Sequence, residues 1–158
     1  MDQTRLFALA DRIAIEDVIC AVTLHSDLND PARALSQYSD DAVIDYSSLS
    51  GPHSANVPVR QHRETLLTFL PGFDARQHQV TNFQIIVTGD EAEALSQARA
   101  VHFLGQDCWE VWGTYHHRLR RTADGWKITW QRADVVHQTG AHLVAKATAR
   151  VTIASASR

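Results

Sequence analysis

The stretch QHQVTNFQIIVTGDEAEALSQARAVHFLGQDCWEVWGTYHHRLRRTADGWKITWQRADVVH, residues 77–137, decides the fold. It breaks into four long runs, Gln77–Thr88, Ala92–Leu104, Trp109–Arg121 and Trp126–His137. Gly-Asp, Gly-Gln-Asp and Ala-Asp-Gly separate them, and each is a hairpin signal. Long consecutive strands joined by tight turns predict a curved antiparallel meander. Period-two alternation puts His78 on one face with Val80, Gln84 and Ile86, and His102 on a face with Ser96, Ala98 and Ala100. Three small residues beside His102 leave space, either for a ligand or for a closely packed helix.

Upstream of the meander the pattern is helical. Ile15, Val18, Ile19 and Val22 recur at i, i+3, i+4 and i+7, the core stripe of an amphipathic helix. Cys20, Leu24 and Asp27 run along the edge of that stripe, so Asp27 extends an inward face beyond the last hydrophobe. Asn29-Asp30-Pro31 ends the helix, and Asp30-Pro31 supplies an N-cap and N1 pair for a short second helix through Tyr38. Ala42–Tyr46 reads as a first strand, and SSLSGPHSAN as a loop placed where a lid could lie. Pro58–Leu70 predicts a further helix with Leu66, Leu67 and Leu70 on one side. Helices written before a meander must cover one of its faces. The expected fold is therefore α+β, a curved antiparallel (mixed) β-sheet wrapped around N-terminal helices to form a cone with an internal pocket. Residues 1–139 make one domain. Residues 140–158, rich in Ala, Ser and Thr, are expected as a tail that is mobile or packs on a neighbouring subunit.

Bulk properties narrow the function. A chain of 158 residues with 44% hydrophobic composition supports one domain with a real core. The formal net charge is −3 and basic residues are scattered, which argues against a nucleic-acid partner. Cys20 and Cys108 are too few for a disulfide framework or a thiolate metal site. The N-terminus lacks a basic start followed by an apolar run, and no segment approaches the roughly 18 apolar residues of a membrane span. A cytoplasmic protein with no membrane partner is expected. His116 and His117 are adjacent on a strand and face opposite sides, and no H-E-x-x-H is present, so no metal is expected. No Gly-rich phosphate loop appears, and Ser47, Ser48 and Ser50 lack a G-x-S-x-G context, so neither a cofactor nor a serine nucleophile is expected.

Asp27, His78 and His102 are the candidate chemistry. A buried carboxylate beside an imidazole is costly to desolvate unless the two are hydrogen-bonded. That pairing is also how proteins build a general base for work near neutral pH. The bland readings are a solvated helix-end carboxylate and histidines bonded to backbone carbonyls or structural water.

Taken together, these residues resemble scytalone dehydratase and its relatives in the SnoaL-like, nuclear-transport-factor-two-like superfamily. The likeness runs from the first helix to about His137. Asp27-x-x-Asp30, followed by Tyr46 within Ile-Asp-Tyr, is similar to the segment carrying the family aspartate and one active-site tyrosine. Gln77-His78 is similar to the catalytic Thr-Gln-His segment, and Glu91 through His102 matches the strand of the second histidine. The Asp124–Lys127 turn resembles a hairpin common throughout the superfamily. Two positions depart from the pattern. Ser26, preceded by His25, stands where the family has a second tyrosine, and Thr114 and His116 stand where it has a serine and an asparagine.

The resemblance implies a cofactor-independent lyase of the dehydratase kind. His78, oriented by Asp27, removes a proton beside a carbonyl or similar group of a small, mostly apolar cyclic substrate. His102 donates to the leaving oxygen or holds the substrate, and Tyr46 aims its hydroxyl at the developing charge. Ser26, Trp112, Thr114, His116 and Trp130 are expected to line the substrate pocket. An isomerase or dehydrohalogenase using the same base is the near alternative. A non-catalytic assembly domain resembling the small subunit of ring-hydroxylating oxygenases is the distant one. The resemblance also implies a homo-oligomer, with a trimer favoured.

Overall fold

The computed structural model describes residues 2–156. Helix α1, Gln3–Asp27, runs into a short α2, Pro31–Leu35, and strand β1, Tyr38–Asp45. A turn of helix α3 (Ser47–Ser50), a 3-10 turn (Pro52–Ser54), β2 (Val57–Pro58), α4 (Val59–Leu67) and a second 3-10 turn (Leu70–Gly72) follow. The meander is β3 (Ala75–Thr88), β4 (Glu91–Leu104), β5 (Asp107–Thr122) and β6 (Gly125–Thr139), and α5 (Leu143–Ala156) closes the order. The six strands form one curved, unclosed sheet in the order β2-β1-β6-β5-β4-β3. All pairings are antiparallel except β1 with β6, which makes the sheet mixed.

Three apolar clusters hold the cone together. Ile15 and Ile19 of α1 are buried against Ala92, Ala94, Leu119, Trp126 and Ile128 of the sheet. Removing either isoleucine to alanine would cost about 2–5 kcal/mol at such a site. Arg121 clamps the same helix through both carboxylate oxygens of Asp11, at 2.7 and 2.8 Å. Ala42, Ile44 and Val59 form a second cluster where α4 lies on β1. Phe73, Leu104, Trp109, Leu143 and Ala147 form the third, at the opposite end of the sheet.

Four expectations are corrected. The second helix ends at Leu35, and Tyr38 opens β1 as a half-buried residue bonded to the neighbouring strand. The loop of residues 47–56 contains two short helical turns. In β3 the register shifts between Thr81 and Gln84, where Asn82 adopts a positive φ of 56°. This bulge flips the phase, so Phe83, Ile85 and Val87 pack on the core while Ile86 is 68% exposed. Finally, residues 143–156 form a helix packed on their own domain. Leu143 and Ala147 are buried against Phe73 and Trp109, and Arg150 bonds the Asp74 carboxylate at 2.6 Å.

No helix among the described residues is long and apolar enough to cross a membrane.

Candidate active site

Asp27 is the last residue of α1, and the helix turns its carboxylate toward the start of β3. There it accepts twice from one residue. The His78 backbone N–H donates to Oδ2 at 2.7 Å, and Nδ1 of the same histidine lies 2.7 Å from Oδ1. Both side chains are 14% exposed, so the pair is largely dry. A carboxylate only accepts, which fixes the proton on Nδ1 and leaves a lone pair on Nε2. The carboxylate thus sets both the position and the tautomer of the imidazole.

His102 meets His78 edge to face, with ring centroids 5.5 Å apart. Its Nδ1 lies 3.4 Å from the Trp109 carbonyl, and its ring stacks on Trp109 at 4.5 Å. Burial, with His78 nearby, pushes its pKa down to about 3. His102 is therefore neutral, donates from Nδ1 to the backbone and keeps Nε2 as an acceptor. Its place beside His78 on the cavity wall suits either role expected for it, donating to a leaving oxygen or holding the substrate.

His78 and His102 line a cavity of about 540 Å³ between the helices and the sheet. Ala98 and Ala100 line it beside His102, as the small-residue pattern predicts. Leu35, Ile44, Leu66, Phe69 and Val111 make most of its walls apolar. Tyr46 also faces the cavity and stacks on His62 of α4 at 4.6 Å. Burial pushes His62 down to about 4, so that ring too is neutral. Ser26 lies on the lining, but its hydroxyl donates to the Val22 carbonyl at 2.8 Å.

The expected lining of β5 and β6 is corrected by the phase of β5. Trp109, Val111, Gly113, Tyr115, His117 and Leu119 form its inward face, which puts Trp112 and His116 on the other side. Trp112 lies beneath the Arg99 guanidinium and against His137. His116 faces Asp134 at 3.5 Å. Trp130 of β6 packs under Arg118 and donates to Asn56, also outside the cavity. Thr114 borders the cavity. Aromatic residues occur on both faces of β5, which concealed the phase from the sequence.

Residues missed by the sequence reading complete the polar side. Gln131 is buried and donates from Nε2 to the Tyr46 hydroxyl at 2.9 Å, while the Tyr38 hydroxyl donates to its Oε1. Tyr115 also lines the cavity. The regular alternation Trp109, Val111, Tyr115, Leu119 was the available signal for Tyr115. Gln131 carried none. Among the described residues, no group of three or more His, Cys, Asp or Glu is placed to hold a metal ion.

The SnoaL-like domain family matches residues 8–132, which span α1 through the first half of β6. The chain belongs to this family. Of solved structures, the SnoaL-like chain is similar to the Kfla4162 protein from Kribbella flavida, with 27% identity and a TM-score of 0.80 over 87% of this chain and 99% of that one. It is similar to a candidate scytalone dehydratase from Novosphingobium aromaticivorans, with 21% identity and a TM-score of 0.70 over 84% and 88%. It is also similar to a hexachlorocyclohexane dehydrochlorinase, LinA-type3, from Novosphingobium barchaimii, with 19% identity and a TM-score of 0.68 over 85% and 92%. The last two likenesses establish the shared fold. No curated protein matches the SnoaL-like chain.

Proposed function

We propose that this protein is a cofactor-independent lyase that eliminates water from a small cyclic β-hydroxy carbonyl compound. The observation that carries the proposal is the two-point grip of Asp27 on His78, whose ring lines a mostly apolar cavity. Nε2 of His78 takes the proton from the carbon next to the carbonyl. The C–H electron pair forms an enolate, whose oxygen is met by the Tyr46 hydroxyl. As the β C–O bond breaks, the enolate collapses to a conjugated C=C. The departing hydroxide takes the proton back from the His78 imidazolium and leaves as water. Neutral His102 accepts from the substrate hydroxyl and holds it on the side of His78. Asp27 stabilises the imidazolium while it lasts.

The fold shared with a candidate scytalone dehydratase and a dehydrochlorinase supports this chemistry class. An elimination of halide or a proton return elsewhere on the ring would begin with the same abstraction, and the products separate the three. The test is to incubate the protein with a panel of cyclic β-hydroxy carbonyl and hydroaromatic compounds and follow products by mass. Loss of water that disappears in His78→Ala supports the proposal. Turnover that persists in that variant rejects it.

A further inference from the structure

The inward stripe of α4 is Val59, His62, Arg63 and Leu66, spaced i, i+3, i+4 and i+7. All four line the cavity. Val59 is buried and the other three are half-buried, whereas Arg60, Glu64 and Leu67 of the same helix are exposed. A guanidinium drawn partly out of water needs an anion or several acceptors to offset the lost hydration. Among the described residues Arg63 has neither a hydrogen-bond acceptor nor an ion pair.

The charges around it are already matched. Arg33 pairs with Asp30 at 3.4 Å and Arg60 with Asp40 at 2.8 Å, and Arg76 holds the carbonyls of Ser26 and Leu70. Asp30 acts on Arg63 without touching it, because its carboxylate is taken by the Arg33 side chain and the Arg33 backbone N–H. Burial lowers the pKa of Arg63, but a guanidinium stays charged. Asp134, the carboxylate on the lining, is matched by Arg132 at 2.7 Å. The lining therefore carries one positive charge that nothing in the described chain compensates.

We infer that Arg63 is the receptor for a carboxylate of the ligand, so that the substrate is a cyclic acid gripped at α4 with its ring against the apolar walls. A planar guanidinium donates two parallel bonds to a carboxylate, each stronger than a bond between neutral groups. Arg63 comes from the helical side and His78 and His102 from the strands, so the grip sets the ring across the cavity between them. The inference deepens the proposed function by naming the substrate class, and it rests on that reading for what then happens to the ring. The anion receptor itself can be probed without any turnover.

The test is titration calorimetry of the full-length protein with 2-naphthoate and with 2-naphthamide, a neutral probe of nearly the same shape. The parent should prefer the carboxylate by about tenfold or more. Arg63→Met, which keeps the length and apolar stem of the side chain, should weaken naphthoate about ten- to a hundredfold and naphthamide by less than about twofold. Arg63→Lys keeps the charge without the fork and should fall between the two. Arg33→Gln, which removes a cation of similar location that is already paired, should keep the preference. Thermal melts establish that each variant is folded. Equal weakening of both probes in Arg63→Met would make the side chain a packing element and overturn the inference. So would a preference that survives in Arg63→Met, a parent that binds the amide as tightly as the acid, or a parent that binds neither. Tighter, Arg63-dependent binding of 2-naphthyl phosphate would overturn the assignment to a carboxylate. His78→Ala should keep the preference for naphthoate while abolishing elimination, so failure of the base and failure of the Arg63 receptor give different results.

Discussion

The Arg76 guanidinium donates to the Ser26 carbonyl from Nε at 2.9 Å and from Nη2 at 2.6 Å. Ser26 precedes Asp27 at the end of α1, and Arg76 lies two residues before His78 on β3. The same guanidinium reaches the Leu70 carbonyl at 3.1 Å and the Asn29 side chain. A cation on the last carbonyls of a helix satisfies groups that have no partner within the helix and complements its dipole. Here it also welds the two elements that carry Asp27 and His78, the pair proposed as catalytic.

Arg76→Leu should therefore cost stability and activity together. Unpairing these half-buried carbonyls costs about 1 kcal/mol or somewhat more, which lowers Tm by a few degrees in a domain of this size. Differential scanning calorimetry reads the first effect and turnover on any active compound the second. Unchanged turnover with a lowered Tm would mean that the pair holds its geometry without the weld.

A pH dependence follows from two buried histidines, His102 and His117, and the half-buried His62. Burial pushes His62 down to about 4, and His102 and His117 to about 3, whereas in the unfolded chain each titrates at about 6.5. Between these limits the unfolded state binds more protons, so stability rises with pH. The stability these groups give is complete above about pH 6.5 and is lost as pH falls toward their folded values. The slope is on the order of 1 kcal/mol per pH unit for each histidine. Carboxylates held low by hydrogen bonds, such as Asp11 and Asp74, act mainly below about pH 4. Urea midpoints between pH 5 and 7 isolate the histidines. The midpoint should fall with pH, and less so in His117→Leu; a flat profile would contradict the burial.

Helix α5, whose Val144 lines the cavity, should be needed for that wall. Gly72 presses on the backbone of Ala147, so a Cβ there would overlap the Ala147 carbonyl. Gly72→Ala should destabilise by about 1–3 kcal/mol. Protease cleavage after Gly140 should accelerate if the helix is pushed away. A variant as stable and as resistant as the parent would show that α5 yields at little cost.

The long strands were legible because four alternating runs with Gly-containing turns have few other solutions, and the inward stripe of Ile15 and Ile19 was equally plain. The positions of Asp27, His78 and His102 followed from those elements. Phase was harder to read. The bulge at Asn82 inserts a residue that alternation cannot anticipate, so Ile86 was assigned to the face that Ile85 occupies. On β5, Trp112 drew the reading to the wrong face, because a tryptophan beneath an arginine has the same pattern as one in a core. The helix at 143–156 looked like a tail since its small residues mask Leu143 and Ala147, spaced one turn apart. Gln131 could not be found at all, because a buried amide is recognised only by its partners in space.

The central claim is that Asp27 makes His78 a base toward a carbon acid. The direct measurement is deuterium uptake from heavy water at the acidic carbon of a cyclic β-hydroxy ketone, or its elimination, compared among the parent, Asp27→Asn and His78→Ala. The account predicts that His78→Ala slows the reaction by on the order of 10² to 10⁴, and that Asp27→Asn, which lets Nδ1 lose its proton, causes a loss of similar size. Exchange and elimination at the parent's rate in both variants would contradict it.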